Sequence, residues 1–111
     1  MMAKIFSLEE VQKLLPAVKG LTEQAVKRAE VLKEELGLAL SDEERASIVA
    51  EMIRVVEEWA QQIRELGCEP KGPWLVDFDS GHGYFCWQYG EEEVAHFHSY
   101  EAGFAGRMKL Q

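Results

Sequence analysis

Two runs of apolar residues, spaced alternately three and four apart, constrain this chain more than any other feature of it. That spacing lays one stripe along a helix, the pattern by which two helices pack against each other. The first run is Leu8, Val11, Leu15, Val18, Ala25, Ala29, Leu32 and Leu36, interrupted only by Thr22. The second is Val49, Met52, Val56, Trp59, Ile63 and Leu66. Ser7 stands three residues before Glu10, and Ser41 three before Glu44, the spacing of a capping box. Helix one is therefore expected to start at Leu8, with Phe6 and Val11 as the hydrophobic pair flanking its cap. Gly37 suits a helix C-cap, Gly37-Leu38-Ala39-Leu40 is the connector, and helix two runs from Asp42 to Leu66 and stops at Gly67. Pro16 removes one backbone bond, so a kink or break is expected near Lys13–Leu15, and Gly20 weakens the same region. The result is one long bent helix, or a short helix followed by a longer one. The short connector folds the two runs into an antiparallel hairpin over residues 4–66.

Further apolar residues flank each stripe: Leu14, Leu21, Val26 and Val31 on the first, Ile48, Ile53, Val55 and Ala60 on the second. A hairpin buries one stripe per helix, so the extra width calls for a second surface. Either a C-terminal sheet or another subunit supplies it. The expected assembly is a homodimer through the helices.

Pro70, Gly72 and Pro73 end the helical part, and three strand-like runs follow: Trp74–Phe78, Tyr84–Tyr89 and Val94–Tyr100. Hairpin-like connections join them, giving a three-stranded antiparallel meander within residues 73–107 that needs the helical hairpin on one face. The expected fold is α+β, one domain over residues 1–111.

The chemistry concentrates in the same segment. Pro73–Arg107 holds all three histidines, both His96 and His98 of a His-x-His pair, Cys86, and all three tyrosines. Period two places His96, His98 and Tyr100 on one face of the third strand. One strand register sets them on the face of Phe85, Trp87 and Tyr89; the other sets them across from Cys86 and Tyr84. In the second register Cys86, His96 and His98 converge with a carboxylate, a donor set suited to zinc or another divalent transition metal. His82, between glycines at a loop tip, reads as solvated. Glu91-Glu92-Glu93 is either a solvated turn or the source of one site carboxylate. Asp77 interrupts an apolar run and, if inward-facing, needs a partner, for which Arg107 is the obvious candidate. In the functional version Arg107 instead binds an anionic ligand. No phosphate loop or recognisable catalytic-triad spacing is present.

The net charge of −8 opposes nucleic-acid binding and anionic membranes alike. No apolar run approaches the ~20 residues of a membrane helix. The N-terminus lacks the apolar core of a secretory signal, so a cytoplasmic location is expected. Cys68 and Cys86 are too few for a disulfide framework and are expected as reduced thiols.

Phe6-Ser7-Leu8-Glu9-Glu10-Val11 with Leu14-Leu15-Pro16 resembles the opening of a group of small bacterial proteins. Glu65-Leu66-Gly67-Cys68, Leu75-Val76-Asp77-Phe78, Cys86-Trp87, Gly90-Glu91, Phe97-His98 and Gly103-Phe104-Ala105-Gly106-Arg107 extend the likeness over nearly the whole chain. That group is domain-of-unknown-function family 2203. The resemblance implies no reaction, but it marks Asp77, Cys86, Trp87, Glu91, His98 and Arg107, and it leaves out His82 and His96. Two readings of function follow. The leading one, favoured by the wide apolar stripes and the shortage of catalytic spacing, is a homo-oligomeric interaction or scaffold module. The other is a metal-dependent enzyme or small anionic-ligand binder, with His98, Glu91 and Asp77 as catalytic groups, Arg107 and Trp87 holding the ligand, and Cys86, His98 and His96 as metal ligands.

Overall fold

Ser7 sets where the first helix begins. Its hydroxyl accepts from the Glu10 amide at 3.1 Å while its own amide donates to Glu10 Oε1 at 2.8 Å, closing the expected capping box. The structure, a computed structural model, describes residues 4–110. Of the single domain expected over 1–111, residues 1–3 and 111 therefore lie outside the described residues. Helix α1 spans Leu8–Leu38 and helix α2 spans Asp42–Glu65. Ser41 caps α2 by accepting from the Glu44 amide at 3.0 Å. Pro16 lies within α1, which continues on both sides of it as one helix rather than two. The helix also runs past Gly37 to Leu38, and Ala39 rather than Gly37 forms its C-terminal cap. At the end of α2, Cys68 N donates to Ile63 O and Gly67 N to Arg64 O, with Gly67 at φ 89°. That paired closure is a Schellman motif, and it stops the helix at the expected glycine.

The sheet has five strands where three were expected. Strands β1 (Glu69–Pro70), β2 (Leu75–Asp79), β3 (Tyr84–Gln88), β4 (His96–His98) and β5 (Met108–Lys109) are antiparallel neighbours in chain order. The two additional strands are two-residue edges, which carry no alternation of their own to read. A short 3-10 turn, Phe104–Gly106, precedes β5.

The helical hairpin covers one face of this sheet. Val76, Phe78 and Trp87 join Phe6, Val11, Leu15, Val18, Val55, Trp59 and Ile63 in a single core. Burying side chains of this size stabilises the fold by about 1.5–3 kcal/mol each. Thr22, the polar residue on the α1 stripe, is fully buried and accepts the indole N–H of Trp59 at 2.9 Å. The apparent flaw in the stripe is thus a hydrogen bond between the helices. Gln12 of α1 bonds both backbone groups of Val94, anchoring the segment before β4. No described helix is long and apolar enough to cross a membrane.

Candidate metal centre

Because Val76, Phe78 and Trp87 face the helices, the alternate residues of the same strands face away from them. Asp77 pairs with Cys86, Cys86 with His96, and Tyr84 with His98. This is the register in which the histidines lie across from Cys86 and Tyr84. The outer face is nonetheless dry at its centre: Asp77 is 2%, Cys86 0% and His98 2% exposed. The segment after β4 folds back over it, bringing Tyr100, Gly103, Phe104 and Arg107 onto the outer face. Gly83 makes room for this arrangement. A Cβ there would lie 2.7 Å from the His98 carbonyl and 2.5 Å from the Phe97 ring.

His98 reaches diagonally across β3, and its Nε2 lies 3.0 Å from Asp77 Oδ2. Its Nδ1 lies 2.8 Å from the Ser99 carbonyl, which can only accept, so Nδ1 carries a proton. One further proton is then shared between Nε2 and Oδ2. Asp77 Oδ1 is buried with no hydrogen-bond partner. Burial pushes the Asp77 carboxyl above the usual aspartate range, against the pull of the His98 ring and of the Cys86 thiol beside it. Burial, followed by the neighbouring Asp77 charge, pushes the Cys86 thiol up to about 12. The ligand atoms of Asp77, Cys86 and His98 all lie within 4.8 Å of one another.

The Asp77–Arg107 pair expected from sequence does not form. Arg107 instead grips Glu91, with Nη1 to Oε1 at 3.1 Å and Nη2 to Oε2 at 2.6 Å, and its guanidinium stacks on Phe104 at 4.5 Å. Glu91 also accepts from the Gln88 amide at 2.8 Å. Burial alone would raise the Glu91 carboxyl, but Arg107 and the Gln88 amide together hold it below the usual range. Arg107 Nη1 touches Cys86 Sγ at 3.9 Å, linking this ion pair to the Asp77 group.

Of the sequence-derived site residues, the structure therefore brings together Asp77, Cys86 and His98, with Glu91 and Arg107 adjoining. His96 leans toward Glu91, its Nδ1 3.5 Å from Oε2, and stands apart from the other three ligand atoms. Trp87 is on the opposite face, in the core, its indole N–H donated to the Glu91 carbonyl at 2.9 Å. His82 is exposed at the loop tip. A cavity of about 170 Å³ adjoins Asp77 and His98, walled by Lys71, Leu75, Tyr84, Tyr100 and Phe104. Of these, Tyr84 and Tyr100 were placed about the histidine face from the sequence and Leu75 and Phe104 fell within the family blocks, but none was assigned to a site, and Lys71 was not named at all. Lys71 sits in a turn with no motif around it, and only the fold carries it to the cavity.

The molecule is thus a small α+β protein with a buried Asp-Cys-His group on the sheet face away from its helices. The chain belongs to the family described as uncharacterized conserved protein (DUF2203), which it matches over residues 4–110. No curated protein and no solved structure matches it.

Proposed function

We propose that the protein is a metal-dependent small-molecule protein whose centre holds a divalent transition ion on Asp77, Cys86 and His98. The observation that carries this reading is the orphaned Asp77 Oδ1 beside a thiol and an imidazole in a dry site. A buried unpaired carboxylate oxygen is costly, and an ion relieves that cost. Carboxylate, thiolate and imidazole together suit zinc, and they disfavour calcium or magnesium, which take oxygen donors. The hydrogen bond from His98 Nδ1 to Ser99 O fixes the ring as a metal-ligating histidine is normally fixed, leaving Nε2 for the ion. Ligand atoms around zinc are about 3.4 Å apart in tetrahedral geometry, so small side-chain movements from the present spacing suffice. Three protein ligands would leave a fourth position for water or a substrate oxygen, which such an ion would polarise.

A cysteine nucleophile is the competing chemistry for the same side chains. It fails because no imidazole base is aimed at the thiol: His98 Nε2 faces Asp77 Oδ2 and Nδ1 faces the Ser99 carbonyl, so neither imidazole nitrogen takes the Cys86 proton. Metal content separates the two readings. Wild-type protein purified without a tag should carry close to one zinc per chain, and His98→Ala and Cys86→Ser should lose it while retaining their helical content. Metal-free wild type that also takes up no added zinc would refute the reading.

Self-association through the helices is a second reading, supported by a separate observation. Leu36, Val49, Met52, Ile53 and Val56 line an apolar groove between α1 and α2, with Ile53 54% exposed. Arg54 and Glu57 lie on the same stretch of α2. A two-fold pairing of hairpins would make a four-helix bundle and set Arg54 of one copy near Glu57 of the other. Ile53→Glu should convert such a dimer to a folded monomer in analytical ultracentrifugation. A wild-type monomer at high concentration would exclude this arrangement.

A further inference from the structure

We infer that the cavity beside Asp77 and His98 binds a small alkylated ammonium ion, seated on its aromatic walls and drawn in by the negative charge around it. This goes beyond the metal reading and does not depend on it. Size is the first constraint. At about 30 Å³ per water, a cavity of about 170 Å³ has room for about five or six waters, so its ligand is small.

The walls suit a cation. Tyr84, Tyr100 and Phe104 line the space, and the Tyr84 and Tyr100 rings meet edge to face at 5.1 Å. An aromatic face attracts positive charge within about 6 Å of its centroid. Two of these rings already meet cations of the chain itself: Lys71 Nζ lies 5.4 Å from the Tyr84 centroid, and Arg107 Cζ lies 4.5 Å from that of Phe104. Glu91 fixes Arg107 in place through both Nη groups. Lys71 is not fixed. Its only ion pair among the described residues is a 3.6 Å contact to Glu69, with both side chains close to half exposed. A contact so long and wet contributes little, so Lys71 is an occupant that a ligand can displace into solvent. Tyr100 donates its hydroxyl to Asp79 Oδ1 at 2.7 Å, and so presents its ring rather than a donor to the cavity.

The charges decide the sign of the ligand. The single positive charge of Lys71 faces two negative ones, Glu69 beside it and Asp79 behind Tyr100. Arg107 and Glu91 cancel each other. The Asp77 group is neutral in either state: without metal Asp77 and His98 share one proton, and with a divalent ion Asp77 and Cys86 as anions would balance it. One negative charge is therefore left over, and a monocation matches it where an anion would add to it. The lining also selects among cations. Asp77 is the only carboxylate among the lining residues, and its Oδ2 is taken by His98. An inorganic cation or a bare ammonium held among these rings would shed water without enough oxygen atoms to replace it. Alkyl groups on the nitrogen lower that cost and meet the rings directly.

Tetramethylammonium is a direct probe, and neopentyl alcohol, similar in shape but uncharged, is its control. Metal-free protein is titrated with each while the ring-proton resonances of Tyr84, Tyr100 and Phe104 are followed by NMR. The expected result is a saturable shift of these resonances with tetramethylammonium and none with the alcohol at the same concentrations. Phe104→Leu, at a ring 39% exposed, and Asp79→Asn, which keeps an oxygen for the Tyr100 hydroxyl, should each weaken binding by about threefold or more. Lys71→Met should tighten it, because the competing ammonium is gone. Absence of a saturable shift, equal binding of the alcohol, or weaker binding in Lys71→Met would overturn the inference. So would unchanged affinity in both Phe104→Leu and Asp79→Asn. Because the titration uses protein without metal, its failure leaves the metal centre standing, and a failure to take up zinc leaves the ammonium site standing.

Discussion

Thr22→Val isolates the one polar contact in the helical core. Valine matches threonine in shape but offers no acceptor to the Trp59 indole, which donates to Thr22 Oγ1 at 2.9 Å in a site where both residues are 1% exposed or less. The Val18 carbonyl, which accepts the Thr22 hydroxyl at 2.7 Å, keeps its helical backbone partner, so a single donor is orphaned. A buried unsatisfied donor costs about 1–3 kcal/mol. The added methyl returns about 0.8 kcal/mol of burial. The net loss expected is therefore about 0.2–2.2 kcal/mol, or about 1–9 °C in Tm for a domain of this size. Urea unfolding followed by far-UV circular dichroism measures it. Trp59→Phe in the Thr22→Val background supplies the control, because the orphaned N–H is then gone. The double-mutant cycle should give a coupling energy of about 1 kcal/mol. Thr22→Val at or above wild-type stability, or a cycle with no coupling, would refute the reasoning.

In metal-free protein the Cys68 and Cys86 thiols are buried and held at about 12, so neither should react with a disulfide reagent at pH 8 until the protein is unfolded, when both should. Because the unfolded chain loses these protons first, stability should fall as pH rises from the ordinary thiol range toward 12, measurable by urea unfolding in alkaline buffers. Glu91 is shifted the other way. Its stabilising contribution is complete above the ordinary carboxylate range and is lost as pH falls through its lowered folded value. Arg107→Gln should therefore cost about 1–3 kcal/mol at pH 7. Its deficit relative to wild type should narrow as pH falls through the lowered Glu91 range, where the carboxylate loses its charge in both proteins, and parallel urea titrations at neutral and acid pH report this.

The helices were legible in the sequence because their determinants are local. Ser7, Ser41 and Gly67 act on backbone groups within a few residues; Ser7 and Gly67 do what their spacing predicted, and Ser41 caps its helix without the reciprocal bond from Glu44 that would complete a capping box. Gly37 was read as a terminator, but the helix keeps its hydrogen bonds one residue longer before Ala39 caps it. The edge strands Glu69–Pro70 and Met108–Lys109 were not legible, since two residues form a strand only by virtue of the neighbour they pair with. The site lies between these cases. Spacing put the histidines on one strand face but left two registers open, and the pairing of Cys86 with His96 selects one of them. Asp77 meets His98 across an intervening strand, at a separation in sequence that no periodicity encodes. Cys86 and Trp87 are adjacent on β3 and so face opposite ways, which is why Trp87 packs in the core and Cys86 joins the polar group.

The central claim is that Asp77, Cys86 and His98 hold one metal ion through oxygen, sulfur and nitrogen. X-ray absorption at the zinc edge, on protein loaded with one equivalent, tests it most directly. The account predicts one sulfur neighbour at about 2.3 Å with nitrogen and oxygen neighbours at about 2.0–2.2 Å, the sulfur being lost in Cys86→Ser. A shell containing only nitrogen and oxygen, or a sulfur that persists in Cys86→Ser, would contradict it.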